Sequence, residues 1–247
     1  MARVNSSPST LSPRERHAQD ARIGRAIEDL DTPTLLLDRA ASDRNLARMA
    51  GFCRGRPGKL RPHFKNHKCV FLAQRQLQAG AVGMTCANLN EAEVLVDNGI
   101  CDVLIANQVV GSAKVELLVQ LVKHARISVA VDHTDQVEAI SRASVAAEAV
   151  VRLLIEVDIG MGRCGLSSSE AVLELARKLQ GIRGVEFGGL QAYEGHLVNV
   201  VDREQRRIQS RAAMGLVVDT RQLIERSGIP VSCISGCSSA TYDSTGI

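Results

Sequence analysis

RPHFKNHK, residues 61–68, sets two imidazoles (His63, His67) among three cations (Arg61, Lys65, Lys68) at the point where KLRPHF (59–64) reads as a strand coming to its end. If chemistry-bearing residues close a strand here, the architecture tilts toward a (β/α)8 barrel, whose functional groups sit at the C-terminal ends of several strands. If the stretch is a solvated charge run with satisfied loop histidines, it says little. The motif by itself leaves both readings open. Partial desolvation and neighbouring cations are what bias a lysine amine toward the form that attacks a carbonyl, and Lys65 is the residue that this strand would deliver to a barrel mouth.

Further along the chain, short apolar runs alternate with amphipathic ones. The runs VGMTCA (82–87), DVLIAN (102–107), ISVAVD (127–132), VVRLLIEVD (150–158), VEFGGLQAY (185–193) and VSCISG (231–236) read as strands, as does PTLLLD (33–38). Between them NEAEVLVDNG, SAKVELLVQLVKHA, TDQVEAISRASVAA and SSSEAVLELARKLQ repeat apolar residues at helical spacing, with Ser or Asn in capping positions. Strict strand–helix alternation, with strands apolar on both faces, predicts a parallel sheet covered on both sides. A doubly wound sheet would favour G-x-G-x-x-G after its first strand, and none is present. Several strands end instead in His63 and Lys65, Asn107, Asp132, Asp158, Tyr193 and Ser238, which favours the barrel. KLRPHF through VSCISG make seven barrel strands, with PTLLLD outside them. An eighth strand is not found, which leaves two sheet edges unpaired.

Composition narrows the partners. The chain has 247 residues, 30 basic against 27 acidic, for a net charge of +3, and 2% aromatic residues with no Trp. That balance is too weak for nucleic acid or an anionic membrane surface, and stacking platforms are missing. Seven cysteines without C-x-x-C spacing read as reduced thiols of a cytoplasmic protein. Residues 1–30 read as a mobile polar arm without a signal-peptide core, and 31–247 as one domain. The expected partner is a small molecule, and the sequence leaves room for a homodimer.

Three more segments carry chemistry. EVDIGMGRCGL (156–166) ends a strand in Asp158 and projects Arg163 from a glycine-rich turn. A fixed cation there suits a cofactor ring, although an exposed arginine on a tight turn explains it as well. LQAYEGHLV (190–198) ends a strand in Tyr193, one of two tyrosines, which could line a flat ring or simply straddle the protein–water boundary. ISGCSSAT (234–241) places Gly236, Ser238, Ser239 and Thr241 after the last strand, where barrels often hold phosphate.

In this order, the segments resemble the pyridoxal-phosphate enzymes with an alanine-racemase-type barrel (fold type III), and among them the D-threonine aldolase / D-serine dehydratase group. The resemblance runs from DTPTLLLD (31–38) to Ile247, and RPHFKNHK with EVDIGMGRCG is its most specific part. It implies that Lys65 carries pyridoxal phosphate as a Schiff base, that Arg163 approaches the pyridoxal oxygen and that Tyr193 lines the pocket. Gly236, Ser238 and Ser239 would belong to the phosphate loop. The implied activity is that of a lyase on β-hydroxy D-amino acids, either retro-aldol cleavage or dehydration. An amino-acid racemase, or a non-catalytic cofactor-binding chain that must associate with another, are the alternatives.

The departures are specific. Cys237 stands where the family has a second glycine in the loop, and Ser239 where it has threonine. The family continues past the present terminus with an eighth strand and a C-terminal β domain, whose histidine with aspartate or cysteine holds a divalent metal (Mn or Zn). The barrel therefore reads as incomplete, no metal ligand can be assigned, and the chain as given is expected to be weakly active or inactive.

Overall fold

The computed structural model describes residues 23–245, so most of the expected N-terminal arm lies outside the described residues. Two compact units divide between Asp43 and Arg44. In the smaller one a single 3-10 turn, Ile27–Asp29, precedes a segment in which Leu35, Leu36 and Leu37 are exposed. The strand predicted at 33–38 is not formed: the segment bends at Pro33, carries no regular secondary structure to Asp38, and has no ladder partner among the described residues. Asp38 Oδ1 then accepts the Ala41 N–H at 2.9 Å and starts helix α1, Arg39–Cys53.

From Arg44 onward the chain forms a parallel sheet with helices between its strands. The strands are β1 Met84–Cys86, β2 Asp102–Ile105, β3 Arg126–Val131, β4 Val151–Val157, β5 Val185–Ala192 and β6 Ile234–Ser235, each paired with the next. The helices are α2 Val70–Gln78, α3 Leu89–Asp97, α4 Ser112–Val122, α5 Thr134–Ala146, α6 Ser169–Gln180, α7 Arg203–Arg226 and α8 Tyr242–Thr245. This is an α/β half-barrel. The capping expectation holds where Asn88 accepts from Glu91 N–H and Ser168 from Ala171 N–H. His133 and Asp202 cap α5 and α7 in the same way.

One face of the sheet is apolar and packs on the helices. Along β4 it presents Val151, Leu153, Ile155 and Val157, and α6 answers with Val172, Leu175, Ala176 and Leu179, the i, i+3, i+4, i+7 stripe of an amphipathic helix. Each large side chain buried there contributes about 1.5–3 kcal/mol. The other face is not the apolar surface that the sequence suggested. His63, Thr85, Leu104, Ser128 and Arg152 lie in register across one row, and Glu156, Gln191 and Ser235 across another. Thr85, Ser128, Glu156 and Gln191 are buried nonetheless. Stacked rows of alternate residues are how a curled parallel sheet fills its interior.

The seven expected barrel strands become six. KLRPHF makes one backbone bridge to the sheet, His63–Thr85, with the Leu60 and Pro62 carbonyls accepting from Val82 N–H (2.9 Å) and Thr85 N–H (2.7 Å), and Arg61 adds a side-chain ion pair to Asp102 of β2 at 2.7 Å. Pro62 has no N–H to give the ladder, and the chain turns at once into a 3-10 turn, Phe64–Asn66. VSCISG narrows to Ile234–Ser235.

Candidate active site

Lys65 sits in the 3-10 turn that follows the His63 bridge, at the C-terminal edge of β1. Phe64 is buried beneath it and closes edge-to-face on His67, which anchors the turn. The Lys65 side chain itself is exposed rather than desolvated, and its ammonium pairs with no carboxylate among the described residues. Its backbone N–H donates to His63 Nδ1 at 3.3 Å. Burial first, and then the positive charge of Lys65, lower the His63 imidazole to about 4, with Glu91 opposing, so His63 is neutral near pH 7 and its Nδ1 is free to accept. Lys68, also exposed, differs in its backbone and its partner. Its backbone is left-handed (φ 47°) and its ammonium lies 3.6 Å from Glu91 Oε1, while Glu91 Oε2 accepts the Ala87 N–H at 2.9 Å.

The glycine turn after β4 is held by carboxylates. Asp158 Oδ1 accepts from Gly160 N–H (3.0 Å) and Gly162 N–H (3.1 Å), and these amides hold its carboxyl below the usual range against the opposing effect of partial burial. Asp132, at the end of β3, accepts the Gly165 N–H at 2.8 Å. Gln108 donates from one nitrogen to both Asp132 (3.2 Å) and Glu156 (2.6 Å). Glu156 is buried, and burial pushes its carboxyl up, Asp132 and Asp158 adding to the rise while Gln108 and Arg163 resist it. The turn so fixed carries Arg163, whose guanidinium carbon stands 5.8 Å from the centre of the Tyr193 ring.

Beyond Tyr193 the chain turns through Gly195–Asn199. The loop after β6 begins at Gly236, where a side-chain carbon would approach the Ala192 carbonyl to 2.6 Å, so only glycine fits. Cys237 is left-handed (φ 68°), and its thiol is pushed up by burial. Ser238 Oγ accepts the Ala240 N–H at 3.2 Å and lies 3.0 Å from Thr241 Oγ1. The amides of Cys237 and Ser239 bond to no protein group among the described residues. Arg206 of α7 clamps the loop from outside through the Ala240 carbonyl at 3.1 Å.

The structure thus brings Arg163 and Tyr193 into contact, and links the end of β5 to the loop containing Gly236, Ser238 and Ser239. Lys65 lies at the opposite end of the strand order and touches none of them. Gln108, Glu156 and Glu194 were not singled out in the sequence as site residues, whereas Thr241 was named with the small-residue loop after the last strand. The alternation Arg152, Leu154, Glu156, Asp158 against Val151, Leu153, Ile155, Val157 would have flagged Glu156, because it separates two faces of one strand. Among the described residues no group of three His, Cys, Asp or Glu side chains could hold a metal ion, and no helix is long and apolar enough to cross a membrane. All seven cysteines are free.

Residues 37–244 match the family model described as alanine racemase, N-terminal domain. A D-threonine aldolase from Arthrobacter sp. is 42% identical over 90% of this chain and 59% of its own length. The crystal structure of D-threonine aldolase from Filomicrobium marinum superposes with a TM-score of 0.87 at 38% identity, over 89% of this chain and 60% of that one. D-threo-3-hydroxyaspartate dehydratase from Delftia sp. HT23 follows with a TM-score of 0.81 at 26% identity, over 87% of this chain and 57% of that one. The chain therefore spans less than two thirds of the length of these relatives.

Proposed function

Because the chain belongs to the alanine racemase N-terminal domain family, we propose that it is the pyridoxal-phosphate-binding portion of a lyase acting on D-amino acids with a β-hydroxyl. The observation that carries the reading is the gathering of an unpaired lysine, an arginine–tyrosine pair and a loop with unspent amides along the C-terminal edge of one parallel sheet. A phosphorylated aldehyde fits these residues. Pyridoxal phosphate, when bound, supplies an electron-withdrawing ring that eases bond breaking at the substrate Cα.

The chain's own residues do the holding. Lys65 would be the residue that holds the aldehyde through its amine, beside a His63 ring that stays neutral and keeps the Lys65 backbone in place. Arg163, its glycine turn pinned by Asp132 and Asp158, would offer the cofactor a permanent positive charge. Tyr193 would help to hold the cofactor's ring. The Cys237 and Ser239 amides, with the Ser239 hydroxyl, would hold the phosphate, while Ser238, whose hydroxyl donates to Thr241, shapes the loop that presents them. Two of the relatives bear the names of an aldolase and a dehydratase, both for D-amino acids with a hydroxyl at the β carbon. None of the described residues is assigned to a metal, so activation of that hydroxyl is not placed on this chain. Free thiols throughout suit a cytoplasmic setting.

The test is to load the chain with pyridoxal phosphate and titrate D-threonine, D-3-hydroxyaspartate, D-serine, L-threonine and both alanines. The cofactor's visible absorbance should respond to the β-hydroxy D-amino acids and not to L-threonine. Turnover is expected to be near background for the chain alone, and to rise when it is joined to the C-terminal portion of a full-length relative with Mn²⁺ or Zn²⁺ present. Glycine with an aldehyde would mark an aldolase, and ammonia with a keto acid a dehydratase. Equal responses to D- and L-alanine would overturn the reading in favour of a racemase.

A further inference from the structure

Glu194 has no solvent exposure, and no lysine, arginine or histidine pairs with it among the described residues. Carboxylates are seldom buried so fully unless something answers them. Its Oε1 accepts from Thr241 Oγ1 at 2.5 Å, the length of a charge-assisted hydroxyl–carboxylate bond, and its Oε2 is buried with no partner. Thr241 is equally buried. Its hydroxyl oxygen also accepts the Ser238 N–H at 3.0 Å and lies 3.0 Å from Ser238 Oγ.

The direction of this chain follows from its end. A carboxylate can only accept, so Thr241 must donate to Glu194. Having spent its one proton, Thr241 can only accept from Ser238, and Ser238 Oγ in turn accepts from Ala240 N–H. The hydroxyl rotors of Ser238 and Thr241 are thereby fixed, and Thr241 Oγ1 holds both the backbone and the side chain of Ser238. The amides of Cys237 and Ser239 are left over. A loop that must accept a dianion benefits from donors already aimed, since they need not be reorganised on binding.

We infer that Glu194, acting through Thr241, is the positioning residue that sets loop 236–241 for the cofactor's phosphate. The inference rests on the functional reading above. Glu194 contacts no ligand in this scheme; it orients the group that orients the loop.

The experiment compares pyridoxal phosphate with pyridoxal, which lacks the phosphate, in wild type, Thr241→Val, Thr241→Ser and Glu194→Gln. Amide exchange at Ser238 is measured without cofactor. Thr241→Val, matched in shape but without a hydroxyl, should weaken pyridoxal phosphate roughly ten- to hundredfold, the scale of one lost bond to a charged group, and leave pyridoxal unchanged. The Ser238 amide should exchange faster in the same variant. Thr241→Ser should restore both properties, and Glu194→Gln, which still accepts but without charge, should fall between. Equal loss for both aldehydes would reduce the residue to a structural role and overturn the inference. So would a wild-type preference for the phosphate that Thr241→Val retains. A wild type that does not distinguish the two aldehydes would overturn the cofactor reading of the loop, and the inference with it.

Discussion

Arg163 stands over the face of Tyr193 at 5.8 Å although one follows β4 and the other closes β5. The pairing of those two strands in parallel register, Glu156 with Gln191 and Val157 with Ala192, is what brings the ends together. The guanidinium is exposed and the turn beneath it is pinned by the Asp132 and Asp158 carboxylates. This is a fixed positive charge beside an aromatic wall.

Replacing that charge should therefore be visible in the loaded protein. Arg163→Leu should shift the visible absorbance of bound pyridoxal phosphate and move its pH dependence by about one pH unit or more, while Arg163→Lys recovers part of the shift because it restores charge but not the planar fork. A spectrophotometric titration decides it. Identical titrations in all three proteins would leave Arg163 as an exposed turn residue.

The two lysines of RPHFKNHK should separate cleanly. Both are exposed, but Lys65 is unpaired among the described residues, whereas Lys68 is committed to Glu91 at 3.6 Å from a left-handed backbone. Borohydride treatment of the loaded chain should fix the cofactor to a peptide containing Lys65. Lys65→Ala should abolish the adduct and Lys68→Ala keep it; the reverse pattern would refute the assignment.

His63 gives the fold a pH dependence whose sign can be worked out. Its imidazole is lowered to about 4 from the usual 6.5, chiefly by burial, so on acidification the unfolded chain takes up a proton before the folded one does. The stability tied to neutral His63 is complete above about 6.5 and is lost as the pH falls toward about 4. After discounting for partial solvation, the effect is about 1–2 kcal/mol. Urea midpoints measured over this window should fall less steeply in His63→Asn than in wild type.

Gly188 is the extra residue where β5 shifts register against β4, and Gly189, paired with Leu154, resumes the ladder after it. The Gly189 φ of +129° is closed to side chains, and a Cβ there would run into the Cys233 carbonyl of the neighbouring segment. Gly189→Ala should destabilise the chain by about 2 kcal/mol or more and loosen the attachment of β6 and the loop it carries. Thermal unfolding checks the first effect, and exchange of the Leu190 amide, bonded to Cys233 O at 2.9 Å, checks the second. An alanine variant that melts like wild type would show that the sheet edge tolerates the shift.

The parallel α/β order was legible from the chain alone, because strand and helix periods are local properties: α4, α5 and α6 fall within the stretches whose apolar spacing marked them, α3 starts one residue ahead of its stretch, and Asn88 and Ser168 cap two of them. RPHFKNHK, EVDIGMGRCGL and LQAYEGHLV also declared their residue types, since a lysine, an arginine and a tyrosine at strand ends carry the same chemistry wherever the chain places them. Pairing is different. PTLLLD has strand composition and no ladder, and KLRPHF keeps a single bridge, because a strand exists only where a neighbour accepts and donates, and Pro62 withholds its share. Nor could composition show that Glu156 and Gln191 face inward together, that Gln108 spans two carboxylates, or that a fully buried Glu194 ends a hydroxyl chain begun at Ser238. Those relationships join residues far apart in sequence, and the physical reason is that register across a sheet, once set by the apolar face, assigns partners on the opposite face that no local spacing encodes.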